Sequence, residues 1–64
     1  MKEFSIIVMR GDNKDYYNQY ADFFDFDSES IFFKKFKEES IEKEIVGVFP
    51  KSRTIIYAIK EVKE

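Results

Sequence analysis

Apolar side chains come in blocks along this chain, separated by polar turn formers. Residues 3–10, Glu-Phe-Ser-Ile-Ile-Val-Met-Arg, are rich in β-branched groups and stop at Gly11-Asp12-Asn13, which predicts a strand and then a turn. The run Ile6 to Met9 has no polar alternation, so this strand is expected to be covered on both faces. Gly11 is placed for its backbone freedom. Residues 44–49 and 54–62 read as two further strands, with Pro50-Lys51-Ser52-Arg53 between them as a hairpin loop. The second is apolar from Ile55 to Ile59 and is expected mid-sheet. Gly47 is expected to mark a bulge or a close approach.

The middle of the chain reads differently. In residues 13–26, Tyr16, Tyr17, Tyr20, Ala21, Phe23 and Phe24 fall on one arc of a helical wheel, opposite Asn18, Gln19, Asp22 and Asp25. Asp12 can cap that helix and Asp15 suits its first turn. The alternative is a strand paired with residues 3–10, since Tyr, Phe, Asn and Asp are mediocre helix formers. The arc tips the reading towards a helix over 13–25. Asp27-Ser28-Glu29-Ser30 has the capping chemistry of a helix start. The helix it predicts spans 28–40, with a stripe of Phe32, Phe33 and Phe36 and with Lys34–Glu38 and Lys35–Glu39 at i,i+4 spacing. The expected fold class is α+β: one domain over 1–64, a three- to four-stranded antiparallel sheet, and helix 28–40 (with the helix at 13–25) packed on one face.

Size sharpens the question of what holds such a fold together. A 64-residue chain buries only about 60% of the surface its unfolded form exposes. There is no Cys and no His, so disulfides are closed to it and the usual ligands of zinc, haem and iron–sulfur sites are missing. A ring-rich core or a partner remains, and a homodimer is expected. No segment approaches the ~20 apolar residues of a membrane span, and Phe4 to Met9 is too short for a signal-peptide core. No membrane association is expected, and a cytoplasmic location suits the lack of Cys.

Charge is uneven along the chain. Residues 15–33 hold five acids (Asp15, Asp22, Asp25, Asp27 and Glu29) and no base, while the flanks are +1 and +2, giving −2 in all. Nine of the twelve aromatic residues lie within 15–36. Rings are thus threaded through a one-signed run.

Most chemistry is excluded by what is missing. Without imidazole or thiol, the serines and Thr54 have no activating partner. Two glycines cannot build a phosphate-cradling loop, and so small a chain hardly wraps a cleft around a substrate. Asp25-Phe26-Asp27-Ser28-Glu29-Ser30 has the alternating oxygen donors of a calcium loop. It fails at the sixth position, Ser30 instead of Gly, and at the twelfth, Phe36 instead of Glu. No enzyme activity, catalytic residue, cofactor or metal is expected. Arg10-Gly11-Asp12 spells an integrin-binding tripeptide, but Gly11 is explained by the turn.

The positive reading is protein interaction. Acids spaced along a rigid element stand in for phosphates against a basic groove, and rings among them supply contact energy. The expected docking residues are Asp15, Asp22, Asp25, Asp27, Glu29, Phe26 and Phe32. Gly11-Asp12-Asn13-Lys14-Asp15-Tyr16-Tyr17 after a strand, Glu29, Phe32 and Phe33 on a short helix, and Thr54-Ile55-Ile56 opening the last strand resemble the small phage-encoded inhibitors of uracil-DNA glycosylase. The resemblance covers about half the chain and has no counterpart for 41–53. It implies a strand at 15–23 and a dimer that mimics DNA with its acids and traps a hydrophobic finger of the enzyme. The expected function is therefore a small acidic inhibitor of a nucleic-acid-acting host enzyme, made by a phage or other mobile element. Its partner would be a basic-grooved protein and not nucleic acid itself. The alternatives are a nucleic-acid-binding domain using Lys34, Lys35, Lys37, Lys51 and Arg53, or an accessory or antitoxin-type subunit.

Overall fold

The structure is a computed structural model that describes residues 1–37 and 41–63. Six strands follow one another: β1 Lys2–Arg10, β2 Asn13–Ala21, β3 Phe23–Phe26, β4 Ser30–Phe36, β5 Lys43–Pro50 and β6 Thr54–Glu61. They form two three-stranded antiparallel sheets, sheet A in the order β2-β1-β6 and sheet B in the order β3-β4-β5. Among the described residues the sole helical element is a 3₁₀ turn, Lys51–Arg53. The fold is all-β, not α+β.

The strands expected at 3–10, 44–49 and 54–62 are present as β1, β5 and β6, but the middle of the chain corrects the reading. Residues 13–21 are a strand that pairs with β1 residue for residue, from Arg10 opposite Asn13 to Lys2 opposite Ala21. Gly11, at φ 58°, opens the two-residue turn between them, as a hairpin loop of that length requires. The expected helix at 28–40 is replaced by β4 over 30–36; Glu38 and Glu39, the acids of its predicted ion pairs, lie outside the described residues. The supposed helix cap is a hairpin turn. Asp27 Oδ1 accepts from the backbone N–H of Glu29 (2.8 Å) and of Ser30 (2.7 Å), and the Asp27 N–H donates to the Ser30 carbonyl. A carboxylate serving the amides two and three residues on is the chemistry of both an N-cap and an Asx turn. The next residues, Ile31-Phe32-Phe33, decide between the two in favour of a strand.

Pro50–Arg53 is also not a hairpin loop. β5 and β6 belong to different sheets, and the 3₁₀ turn carries the chain across, fixed by the Lys51 N–H on the Glu29 carbonyl (2.9 Å). β6 consequently lies at an edge of sheet A instead of mid-sheet. The other crossing is at Asp22, between β2 and β3, where the backbone N–H reaches the Lys34 carbonyl at 2.9 Å.

Residues directly opposite in an antiparallel ladder share a face, so the registers sort the side chains. Towards sheet B, sheet A presents the rows Gln19–Phe4–Ile59 and Tyr17–Ile6–Ile56. Sheet B answers with Gly47–Phe33–Phe24 and Phe49–Ile31–Phe26. The ring contacts match the rows one on the other: Phe4 with Phe33 at 5.0 Å and with Phe24 at 5.8 Å, and Tyr17 with Phe49 at 5.6 Å. The two layers give a flat molecule, 43 × 26 × 12 Å, the short axis fitting sheets stacked about 10 Å apart. The core between them is small: Phe4, Ile6, Val8, Ala21, Ile31 and Phe33, with Val46, Phe49 and Ile56 half-buried around it.

The two long margins of this sandwich differ. At the β2/β5 margin a Cβ on Gly47 would lie 2.5 Å from Gln19 Oε1, so the layers meet there; this is the close approach that Gly47 was expected to mark. At the β3/β6 margin they do not close. Ile59 is 55% exposed although its cross-strand neighbour Phe4 is 1% exposed, and Phe26 is 58% exposed on the inner face of β3.

Candidate protein-docking surfaces

The outward side of sheet B is built from alternate residues of its three strands. Register places Asp25, Phe32 and Val48 in one row and Phe23, Lys34 and Ile45 in the next, followed by Phe36 with Lys43. A bulge shifts the alternation of β5 relative to β4: Phe33 pairs with Gly47 and Lys34 with Ile45, leaving Val46 as the extra residue. Bulges bend and twist a strand locally. Phe23 and Phe36 pack against each other at 5.3 Å, and Lys43 Nζ sits 5.2 Å above the Phe23 ring. Phe36, Ile45 and Val48 are exposed, while Phe23 and Phe32 are half-buried. Five apolar side chains therefore adjoin on a face that no other part of the described chain covers.

The expected docking residues are divided by this architecture. Asp25 and Phe32 stand side by side on that face. Asp22 lies at the start of β3, and Asp27 and Glu29 lie just past its end, so four of the five acids follow one edge strand. Phe26 points to the opposite, inner side. Asp15 is in β2 and held by Arg10, Nε to Oδ2 at 2.6 Å. Sequence reading missed Phe23, Phe36, Ile45 and Val48 as members of the face, because cross-strand pairing brings them together from separate segments.

The acids along β3 are not equivalent. Asp22, only 20% exposed, is structural: Oδ2 accepts from the Phe36 N–H at 2.8 Å, and Oδ1 is 3.6 Å from the N-terminal ammonium. Asp25, 62% exposed, has Lys34 Nζ at 3.5 Å. Hydrogen bonds from the backbone of Glu29, then of Ser30, hold the Asp27 carboxyl below its ordinary range, against desolvation and with the Lys51 charge assisting. Of the expected nucleic-acid-binding bases, Lys34 faces Asp25, Lys37 pairs with Glu42 at 3.8 Å, and Lys51 lies over the Phe26 ring at 4.5 Å.

The outward side of sheet A is milder. It carries the row Ile7–Tyr16–Ile55, with Ser5–Asn18–Ala58 beside it and Glu3–Tyr20–Lys60 at one end. Tyr20 donates its hydroxyl to Glu3 Oε2 at 2.9 Å, and that bond together with the Glu3 charge pushes the phenol above its ordinary pKa. Among the described residues no three Asp or Glu side chains gather to hold a metal ion. The accessible surface is 4975 Å², whereas a folded monomer of 7.7 kDa is expected to expose about 4,300 Å². The chain matches no protein-family model, no curated protein and no solved structure.

Proposed function

We propose that this is a non-enzymatic binding protein that docks onto a protein partner through the outer face of sheet B. The observation that carries the reading is the cluster of Phe23, Phe32, Phe36, Ile45 and Val48 in adjoining rows, uncovered by the described chain. Contiguous apolar patches of this kind on small proteins are commonly interaction sites. Rings in such a patch supply contact energy, and rim charges set orientation and encounter rate. The four acids along β3 favour a partner with a positive surface, of which the groove of a nucleic-acid-acting enzyme is one case. That is the inhibitor reading. Because Asp22 and Asp25 already have cationic neighbours, the field left over is modest, and the apolar face carries more of the binding than mimicry of phosphates does.

The test is affinity capture from the native host with the wild-type chain and two single variants, Val48→Lys and Asp25→Lys, checked for folding by circular dichroism. Val48 is exposed, so its replacement leaves the core intact. The expected result is loss of one protein partner with Val48→Lys and weakened, salt-sensitive capture with Asp25→Lys. Equal recovery by all three chains sinks the proposal. A gel shift with single-stranded nucleic acid at ~50 mM salt would favour the nucleic-acid alternative instead.

A further inference from the structure

We infer that the open β3/β6 margin is the interface of a two-fold homodimer in which β6 pairs antiparallel with β6 of a second copy. This surface is separate from the outer face of sheet B. Among the described residues β6 has β1 on one side and no strand on the other. Its residues 54–59, Thr-Ile-Ile-Tyr-Ala-Ile, are uncharged, and an apolar unpaired edge of this length is one that natural proteins cover or blunt with charge. The edge of β5 is also apolar, but β2 already packs against its inner face through Tyr17 and Gln19, and Pro50 has no N–H to offer. β3 is four residues long and flanked by acids. β2, the other edge of sheet A, carries Lys14, Asp15, Asn18 and Gln19, so β6 is the apolar edge that no polar amide or proline interrupts.

The occupant is set by register, and area allows it. Over its whole surface the chain exposes roughly 650 Å² more than a monomer of its mass should, of the order of the ~800 Å² that each partner buries in a standard interface. A two-fold normal to the sheet keeps inner face beside inner face. In β6 the pairing with β1 slips between Ser5 opposite Ala58 and Ile6 opposite Ile56, leaving Tyr57 as the extra residue. Ile56 and Ile59 therefore both point inward. One register then sets inner residues against inner and outer against outer and opposes no like charges: Ile56 against Ile59 of the second copy, Thr54 against Glu61, and Ile55 against Lys60, with the bulged Tyr57 beside Ala58. The neighbouring face-matched register sets Arg53 against Lys60 and is disfavoured. Self-pairing joins the two A sheets into one of six strands and brings four inner-face isoleucines together beside the exposed Phe24 and Phe26 of each copy.

Sedimentation of the full chain at ~20 µM, where mass action favours association, should give twice the 7.7 kDa chain mass. Ile59→Lys should raise the dimer dissociation constant at least about tenfold by placing charge on the edge, with an unchanged circular dichroism spectrum. Val48→Lys, on the other surface, should leave the dimer intact. Ala58→Cys stands next to the axis in a chain with no native cysteine, and its Cα atoms come within the ~4.4–6.8 Å that a disulfide spans. Mild oxidation should link two Ala58→Cys chains but not two Asn18→Cys chains, whose residue lies in the same row on the far strand. A monomer at ~100 µM, a dimer indifferent to Ile59→Lys, or one dissolved by Val48→Lys would each overturn the inference, and the last would assign self-association to sheet B.

Discussion

The two long margins of this sandwich are made from the same kinds of residue and end in opposite states. At β2/β5, Tyr17 lies on Phe49 and Gln19 reaches the bare backbone of Gly47, so ring and amide fill the gap between layers. At β3/β6, Phe26 and Ile59 are as apolar as any core residue but stay more than half exposed. Composition does not separate the margins. The difference lies in how closely the layers approach, with the Gln19 amide against Gly47 on one side. A chain of this size has too little interior to close both, and the unclosed margin is where an external partner gains most from burial.

The largest effect should come from comparing two residues of one row. Phe4→Ala empties the centre of the core and should cost about 3–5 kcal/mol, while Ile59→Ala, at the open end of the same row, should cost less than about 1 kcal/mol in the monomer. Urea unfolding at low concentration measures both. Equal losses would mean that the open margin is closed in solution. Next comes Asp22, where the strand that edges the closed margin turns into the one that edges the open margin. Asp22→Ala removes the anchor of the Phe36 amide and should cost about 1–3 kcal/mol. A smaller change, about 1–2 kcal/mol, is expected for Tyr17→Ala on the closed margin, where the lost contact is to Phe49.

Two finer measurements sharpen the picture. Asp27 has a folded-state pKa below its unfolded one, so its contribution is present above the ordinary carboxylate pKa and is lost as pH falls through the lowered value. The urea midpoint of Asp27→Asn should accordingly fall less than that of the wild type as pH drops below about 4. An identical acid limb in both chains would show that the Asx turn does not hold in solution. Gly47→Ala should cost under about 1 kcal/mol, because the atom it meets is the flexible end of Gln19. A loss several times larger would mean that Gln19 cannot swing aside.

Three strands were legible because Ile, Val and Thr dominate them and Gly or Pro brackets them. The remainder misled for physical reasons. In β2 both faces are partly exposed, so rings and polar groups appear on each, and the pairs Tyr16-Tyr17 and Phe23-Phe24 imitate a helical arc. At Asp27 one carboxylate geometry serves two structures. At Ile55–Ile59 an unbroken apolar run pointed to a central strand, whereas the single chain holds it at an edge. The crossing at Lys51–Arg53 was invisible because a four-residue connection with Pro is equally a hairpin, and what redirects it is a bond to Glu29, distant in sequence. Of the candidate site, Asp25 and Phe32 were found together, while Phe23, Phe36, Ile45 and Val48 needed the register to be seen.

Hydrogen exchange read residue by residue, at ~5 µM and again at ~500 µM, tests the asymmetry of the margins most directly, since amide protection reports opening and pairing locally. Amides of Ile55 to Ile59 should gain protection with concentration while those of Val46 to Phe49 stay the same. Protection that is independent of concentration at β6, or that rises at β5 instead, would contradict the asymmetry.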